Sequence, residues 1–106
     1  MSTEARAEYD KLAAELEETT PAKATKMFGI PSLKAANGKA FAGLFHESMV
    51  FKLGGQAHAA ALALPGAQMF DPMGGRPMKE WVEVPAEQAA QWPSLARQAL
   101  QYVQGS

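Results

Sequence analysis

Side chains able to do chemistry are few and scattered along this sequence. His46 and His58 are the only histidines, cysteine is absent, and no H-x-x-x-H or H-x-E pattern occurs, so a metal site lacks its usual ligands. The candidate nucleophiles are Ser32, Ser48 and Ser94, and none of them stands in a G-x-S-x-G elbow. The sequence therefore predicts no catalytic residue, no metal and no cofactor, and we expect a protein that is not an enzyme.

Two glycine-rich stretches have the composition to present backbone amides to an anion. Gly54-Gly55 precedes a predicted helix, and Gly74-Gly75-Arg76 adds a guanidinium to the second stretch. Neither matches a phosphate loop or a dinucleotide fingerprint, because the required lysine and the third glycine are missing. The simpler interpretation of the first stretch is a strand-to-helix turn. For the second, the simpler interpretation is that Arg76 fixes its loop through an ion pair with a neighbouring acid, Asp71 or Glu83.

Methionines flank the second stretch. Flexible thioethers suit an adaptable binding surface, although they also fill irregular cores. We expect core packing for Met27, Met49 and Met69, and exposure for the pair beside the glycines. The candidate ligand or interaction loop consists of Met73, Gly74, Gly75, Arg76 and Met78.

Length and composition favour one globular domain spanning residues 1–106. The chain is 47% hydrophobic and 20% charged, which is typical of a folded protein. Residues 1–10 lack the apolar middle of a secretory signal. The longest apolar run, at 59–64, is far shorter than a membrane span. We expect a cytoplasmic protein that does not enter a membrane, and the lack of cysteine fits a reducing compartment.

Charge is balanced overall but unevenly placed. The net charge is −1, while residues 1–20 carry a net charge of −4 and residues 21–52 carry +4. If the first helix packs across the sheet, the two segments neutralise each other; otherwise the lysines form a basic patch. Such a small basic excess, with no arginine in it, predicts no specific nucleic-acid binding by this domain alone. The lysines concerned are Lys23, Lys26, Lys34, Lys39 and Lys52.

Hydrophobic spacing predicts a helix followed by a three-stranded meander. Four apolar side chains between Ala5 and Leu16 recur at helical spacing, which indicates a helix over 3–18. Asn37-Gly38 predicts a two-residue hairpin between strands at 31–35 and 39–46, and a third strand covers 49–53. Alternation predicts two groups of side chains that each share one face: Phe41, Gly43 and Phe45 in the second strand, and Met49, Phe51 and Leu53 in the third.

The second half of the sequence adds two strands between two helices. An alanine-rich helix is predicted over 56–64, strands over 68–70 and 79–84, one helical turn over 86–91, and a final helix that opens at Pro93. The predicted class is therefore α+β in two layers, with the order α-β-β-β-α-β-β-α and an antiparallel sheet covered by helices on one face.

Five sequence blocks also resemble the pattern of the TfoX N-terminal domain family, over roughly residues 24–104. The blocks are Met27-Phe28-Gly29, Asn37-Gly38-Lys39-Ala40-Phe41-Ala42, Met49-Val50-Phe51-Lys52-Leu53, Gly75-Arg76-Pro77-Met78 and Trp81-Val82-Glu83-Val84-Pro85. The resemblance implies a secretion-chaperone-like α+β fold and a link to the regulation of competence genes. It supplies no catalytic residues.

Two departures from the family pattern affect the functional expectation. Regulators of this kind carry a second, C-terminal helical domain, for which this sequence of 106 residues leaves no room. Ile30-Pro31-Ser32 also replaces the more usual glycine and tyrosine after Met-Phe-Gly. We expect a non-enzymatic regulatory or protein-interaction domain whose partner is another protein, and self-association stays open. The alternative is a small-ligand or anion-binding module that uses the Gly74–Met78 loop.

Overall fold

The chain alternates helices with the strands of a single sheet. The computed structural model describes residues 2–27, 29–71, 75 and 78–105. In chain order the elements are α1 (Ser2–Thr19), β1 (Lys23–Met27), β2 (Ile30–Lys34), β3 (Ala40–Phe45), β4 (Ser48–Lys52), α2 (Gly55–Leu62), β5 (Gln68–Phe70), β6 (Met78–Pro85), a 3₁₀ helix (Ala86–Gln91) and α3 (Trp92–Gln104). The predicted α+β class is confirmed.

All six strands form one antiparallel sheet in the order β1-β2-β3-β4-β6-β5. Strand β1 is an addition to the predicted elements, so that four strands rather than three follow α1. Its sequence, KATKM, carries two lysines and lacks the apolar alternation that indicates the other strands. This composition suits an edge strand, in which Lys23, Ala24 and Lys26 are exposed. None of the described helices is long and apolar enough to cross a membrane.

The helices pack on one face of the sheet and enclose the main core. The predicted stripe of α1 is buried there, and α3 contributes the apolar side chains expected of it, from Leu95 to Val103. Trp92, 1% exposed, donates its indole N–H to the carbonyl of Val84 in β6 at 3.3 Å. Met69, predicted to be in the core, is instead 41% exposed, because β5 is the other edge strand.

The turn between β2 and β3 falls where Asn37-Gly38 predicts it, but its loop has three residues. The carbonyl of Ala35 accepts the N–H of Gly38 at 2.9 Å, and the N–H of Ala35 donates to the carbonyl of Lys39 at 2.8 Å. Positive φ is needed only at Gly38, where it is +85°. This is a β-turn closed by a glycine bulge, so the prediction of a two-residue hairpin is wrong.

A β-bulge in β3 contradicts the prediction that Phe41, Gly43 and Phe45 share one face of the sheet. Leu33 lies opposite Ala42 and Lys34 lies opposite Ala40, which leaves Phe41 as an extra residue. Phe41 and Ala42 are therefore both buried in the helix-side core, because a classic bulge turns two consecutive side chains to the same side. Phe41 does not share a face with Gly43 and Phe45. In β4 the predicted faces are confirmed, with Met49, Phe51 and Leu53 in the main core and Val50 on the opposite side.

Candidate functional site

The candidate loop between β5 and β6 falls largely outside the described residues. Met73, Gly74 and Arg76 lie outside them, as does the side chain of Met78 at the start of β6, so the predicted ion pair of Arg76 lies outside them too. Gly75 is exposed with a φ of +99°, and its N–H donates to Oδ2 of Asp71 at 2.8 Å. Asp71 is one of the two acids predicted to hold Arg76, and it accepts a backbone N–H of the same loop.

The other glycine stretch forms the turn that connects β4 to α2. Gly54 has extended backbone angles, and a Cβ there would lie 2.5 Å from Cε1 of Tyr102. The tyrosine ring therefore rests against the glycine backbone. Tyr102 also donates its hydroxyl to Oε2 of Glu80 at 2.5 Å, and this bond raises the pKa of Tyr102 above its ordinary value. Gly54 serves the packing of α3 against the sheet.

Histidines and serines do not assemble into a reactive group within the described part of the chain. His46 occupies the exposed turn between β3 and β4, and His58 lies in α2. Ser32 is fully buried and donates its hydroxyl to the carbonyl of Ile30 at 3.1 Å, while Ser94 accepts from Gln98. No group of three or more His, Asp or Glu side chains placed to hold a metal occurs among these residues.

The face of the sheet away from the helices carries a second, smaller core. Val50 and Phe70 are fully buried and Trp81 is 6% exposed. The ring of Phe45 meets that of Phe70 edge-on, with centroids 4.9 Å apart. Strands β3 and β5 lie three positions apart, which is about 14 Å in a flat sheet. The two rings thus meet above the intervening strands β4 and β6 of the twisted sheet, and they cover part of this face.

At the β1 end of the sheet, two lysines lie directly opposite each other. Lys23 of β1 pairs in register with Lys34 of β2, and Lys26 projects to the other side of β1. None of the three lies within 4 Å of a carboxylate of the described residues, whereas Lys52 lies 3.8 Å from Glu80. We call Lys23, Lys26 and Lys34 the lysine edge. Since α1 packs on the helix side of the sheet, none of its described acids forms an ion pair with Lys23 or Lys34.

The exposed side of β1 is partly capped by α1. Oε2 of Glu17 accepts the N–H of Ala24 at 3.1 Å, so Ala24 directs this N–H away from β2. In an antiparallel ladder alternate residues direct their N–H and C=O groups to the same side, so Lys26 directs its own pair outward as well. Sequence reasoning identified the lysines but missed this edge, because nothing in the local pattern indicates that 23–27 pairs with 30–34.

A shallow groove between α1 and α3 was also not predicted. It encloses about 270 Å³ and is lined by Thr19, Thr20, Pro21, Arg97, Leu100, Gln101 and Gln104. Its one cationic group, the guanidinium of Arg97, contacts Oε2 of Glu15 at 2.9 Å. That volume is at the lower end for a small-molecule site, and its charge is already compensated.

One buried tyrosine has a strongly shifted acidity. Burial of Tyr9 in the main core raises its pKa to about 12, because the ionised phenolate would lose its hydration. The shift follows from the packing of α1, and Tyr9 belongs to the core rather than to a reactive site.

Comparison with known proteins adds no relative, since no protein-family model, curated protein or solved structure matches this chain.

Proposed function

We propose that this protein is a non-enzymatic, cytoplasmic regulatory or protein-interaction domain similar to the TfoX N-terminal domain, and that its partner is another protein. The observation that carries the proposal is the lysine edge, where Lys23 and Lys34 lie side by side with no acid of the described residues within 4 Å. Like charges directly opposite each other in a sheet destabilise the isolated chain. A partner that supplies carboxylates would offset this repulsion.

The test is capture followed by reconstitution. The full chain serves as bait in an extract of its native host, and each retained protein is then purified and titrated against the chain alone. We expect one protein to bind at physiological salt with a Kd in the micromolar range or below, which is ordinary for a specific interface. The proposal would be overturned if no purified protein binds or if the chain turns over a substrate of its own.

A thermal-shift series tests the alternative module at the Gly74–Met78 loop. The parent and Arg76→Ala are heated with phosphate, nucleotides and small carboxylates, since a ligand that binds only the folded state raises its apparent stability. Stabilisation of the parent that disappears in Arg76→Ala would decide for a ligand module. We expect no stabilisation, because the amide of Gly75 is already bonded to Asp71.

A further inference from the structure

Strand β1 combines a backbone edge that is only partly paired with lysines that have no carboxylate of the described residues within 4 Å. It ends the sheet on one side, and Lys26 directs its N–H and C=O away from β2. An exposed edge of this kind pairs readily with an extended peptide, which then becomes an additional strand. Backbone hydrogen bonds supply affinity in such a complex, and side chains at alternate positions supply specificity.

The charges around this edge identify the chemistry of the peptide. Lys23 and Lys34 stand on the face away from the helices and Lys26 stands on the other, so an added strand meets a lysine on each of its faces. Glu17 already shows that the edge accepts a carboxylate, since its Oε2 occupies the outward N–H of Ala24. We infer that β1 accepts an extended, acidic segment of a partner protein as a seventh strand, and this inference rests on the proposed function.

Edge lysines also have a simpler explanation, which is that they prevent sheets from pairing edge to edge. That explanation fits Lys23 and Lys26, which are exposed on β1 itself. It does not fit Lys34, which lies on the inner strand β2. A lysine at this position adds repulsion with Lys23 without shielding any edge, whereas an acidic strand beside β1 lies directly next to Lys23 and offsets that repulsion.

A protein segment fits this surface better than a nucleic acid does. The lysine edge holds three cations and no arginine, while useful binding to a phosphate backbone rests on several well-placed basic groups. Glu17 contacts β1, and Glu18 follows it at the exposed end of α1. These acids repel a long polyanion that continues past the edge, whereas a short peptide with two or three carboxylates meets only Glu17.

The probe is a fluorescein-labelled six-residue peptide of Val and three Glu, with Glu on both faces of the extended chain, titrated by anisotropy into the full chain at low and at physiological salt. Three controls accompany it: the same peptide with Gln for Glu, an N-methylated version whose amides cannot pair with a strand, and a labelled DNA duplex. We expect the first peptide to bind more tightly than all three. Amide shifts in nitrogen–proton NMR spectra should concentrate in residues 23–27.

A double variant tests the lysines, a second lysine variant serves as its control, and a third variant tests Glu17. Lys23→Gln/Lys34→Gln should weaken binding of the acidic peptide roughly two- to fivefold, as expected for one lost cross-strand charge pair at Lys23 and a weaker attraction from Lys34, which lies one strand further from the peptide. Lys11→Gln removes an exposed lysine of α1, whose side chain is 78% exposed, and should leave the affinity unchanged. Glu17→Gln should tighten binding, because it removes a competing negative charge from the edge.

Several results would overturn the inference. One is that the Glu peptide binds no more tightly than the Gln peptide or the N-methylated peptide. Another is that the DNA duplex binds more tightly than the Glu peptide. A third is that the double variant self-associates and keeps its affinity for the peptide, which would assign the lysines to edge protection. A captured partner that binds the parent and the double variant equally well would overturn this inference while leaving the proposed function in place. Failure to reconstitute any partner would overturn the proposed function itself.

Discussion

Asn37 links the β2–β3 hairpin to the end of α3, and its substitution tests how the two layers are joined. Its Nδ2 donates to the carbonyl of Val103 at 3.1 Å, across 66 residues of sequence, and its Oδ1 accepts the N–H of Lys39 at 3.0 Å. The first bond satisfies a carbonyl near the C-terminal end of α3 (Trp92–Gln104), where carbonyls lack partners within the helix. The second bond lies within the turn.

Asn37→Ala removes both hydrogen bonds. Each contributes a net stabilisation of about 0.5–1.5 kcal/mol, and the turn bond is exposed to water, so we place it at the lower end. We therefore expect the free energy of unfolding to fall by about 1–2 kcal/mol. For a domain of this size, each kcal/mol corresponds to a decrease in Tm of roughly 4–8 °C.

Urea unfolding of the parent, Asn37→Ala and Asn37→Asp provides the assay. Aspartate keeps the acceptor for Lys39 but has no donor for Val103, and it places a negative charge at a helix C-terminus, which costs about 0.3–1 kcal/mol. Asn37→Asp should therefore lose about as much stability as Asn37→Ala. A stability of Asn37→Asp equal to that of the parent would refute the role of the Val103 contact and leave Asn37 as a turn residue only.

Three further predictions concern the turn, the core and the second face of the sheet. Gly38→Val should cost about 1 kcal/mol or more in urea unfolding, because a β-branched residue is strained at a φ of +85°; an unchanged midpoint would contradict the turn geometry. Because the pKa of Tyr9 is raised to about 12, its contribution to stability should be complete below pH 10 and should be lost, by about 2 kcal/mol, as the pH rises toward 12. Tyr9→Phe, measured by urea unfolding over the same pH range, should lack this part of the alkaline decline. Gly43→Ala should destabilise by about 1 kcal/mol, because its Cβ would lie 3.0 Å from Oγ of Ser32 and 3.2 Å from the carbonyl oxygen of Pro31; a higher Tm would show that the second face is loosely packed.

Local pattern predicted most of the elements because their signals are local. The stripe from Ala5 to Leu16 has helical spacing, and the same side chains are buried in α1. The position of the β2–β3 turn follows from Asn37-Gly38, since glycine tolerates the positive φ that closes it. The fold class and the buried face of α3 likewise follow from hydrophobic periodicity, which depends only on neighbours along the chain.

Local patterns therefore indicate where most helices and strands run and which types of side chain they offer. How those strands align depends on contacts between distant elements, and the candidate site depends on that alignment. Phe41 enters the core only because a bulge shifts the register opposite Lys34, and β1 exists as a strand only because β2 pairs with it. The pairing of Lys23 with Lys34 in register joins residues 11 positions apart, and the hydrogen bond from Ala24 to Glu17 joins residues 7 positions apart. Periodicity cannot reveal them, because cross-strand register is set by packing between elements rather than by the pattern within one.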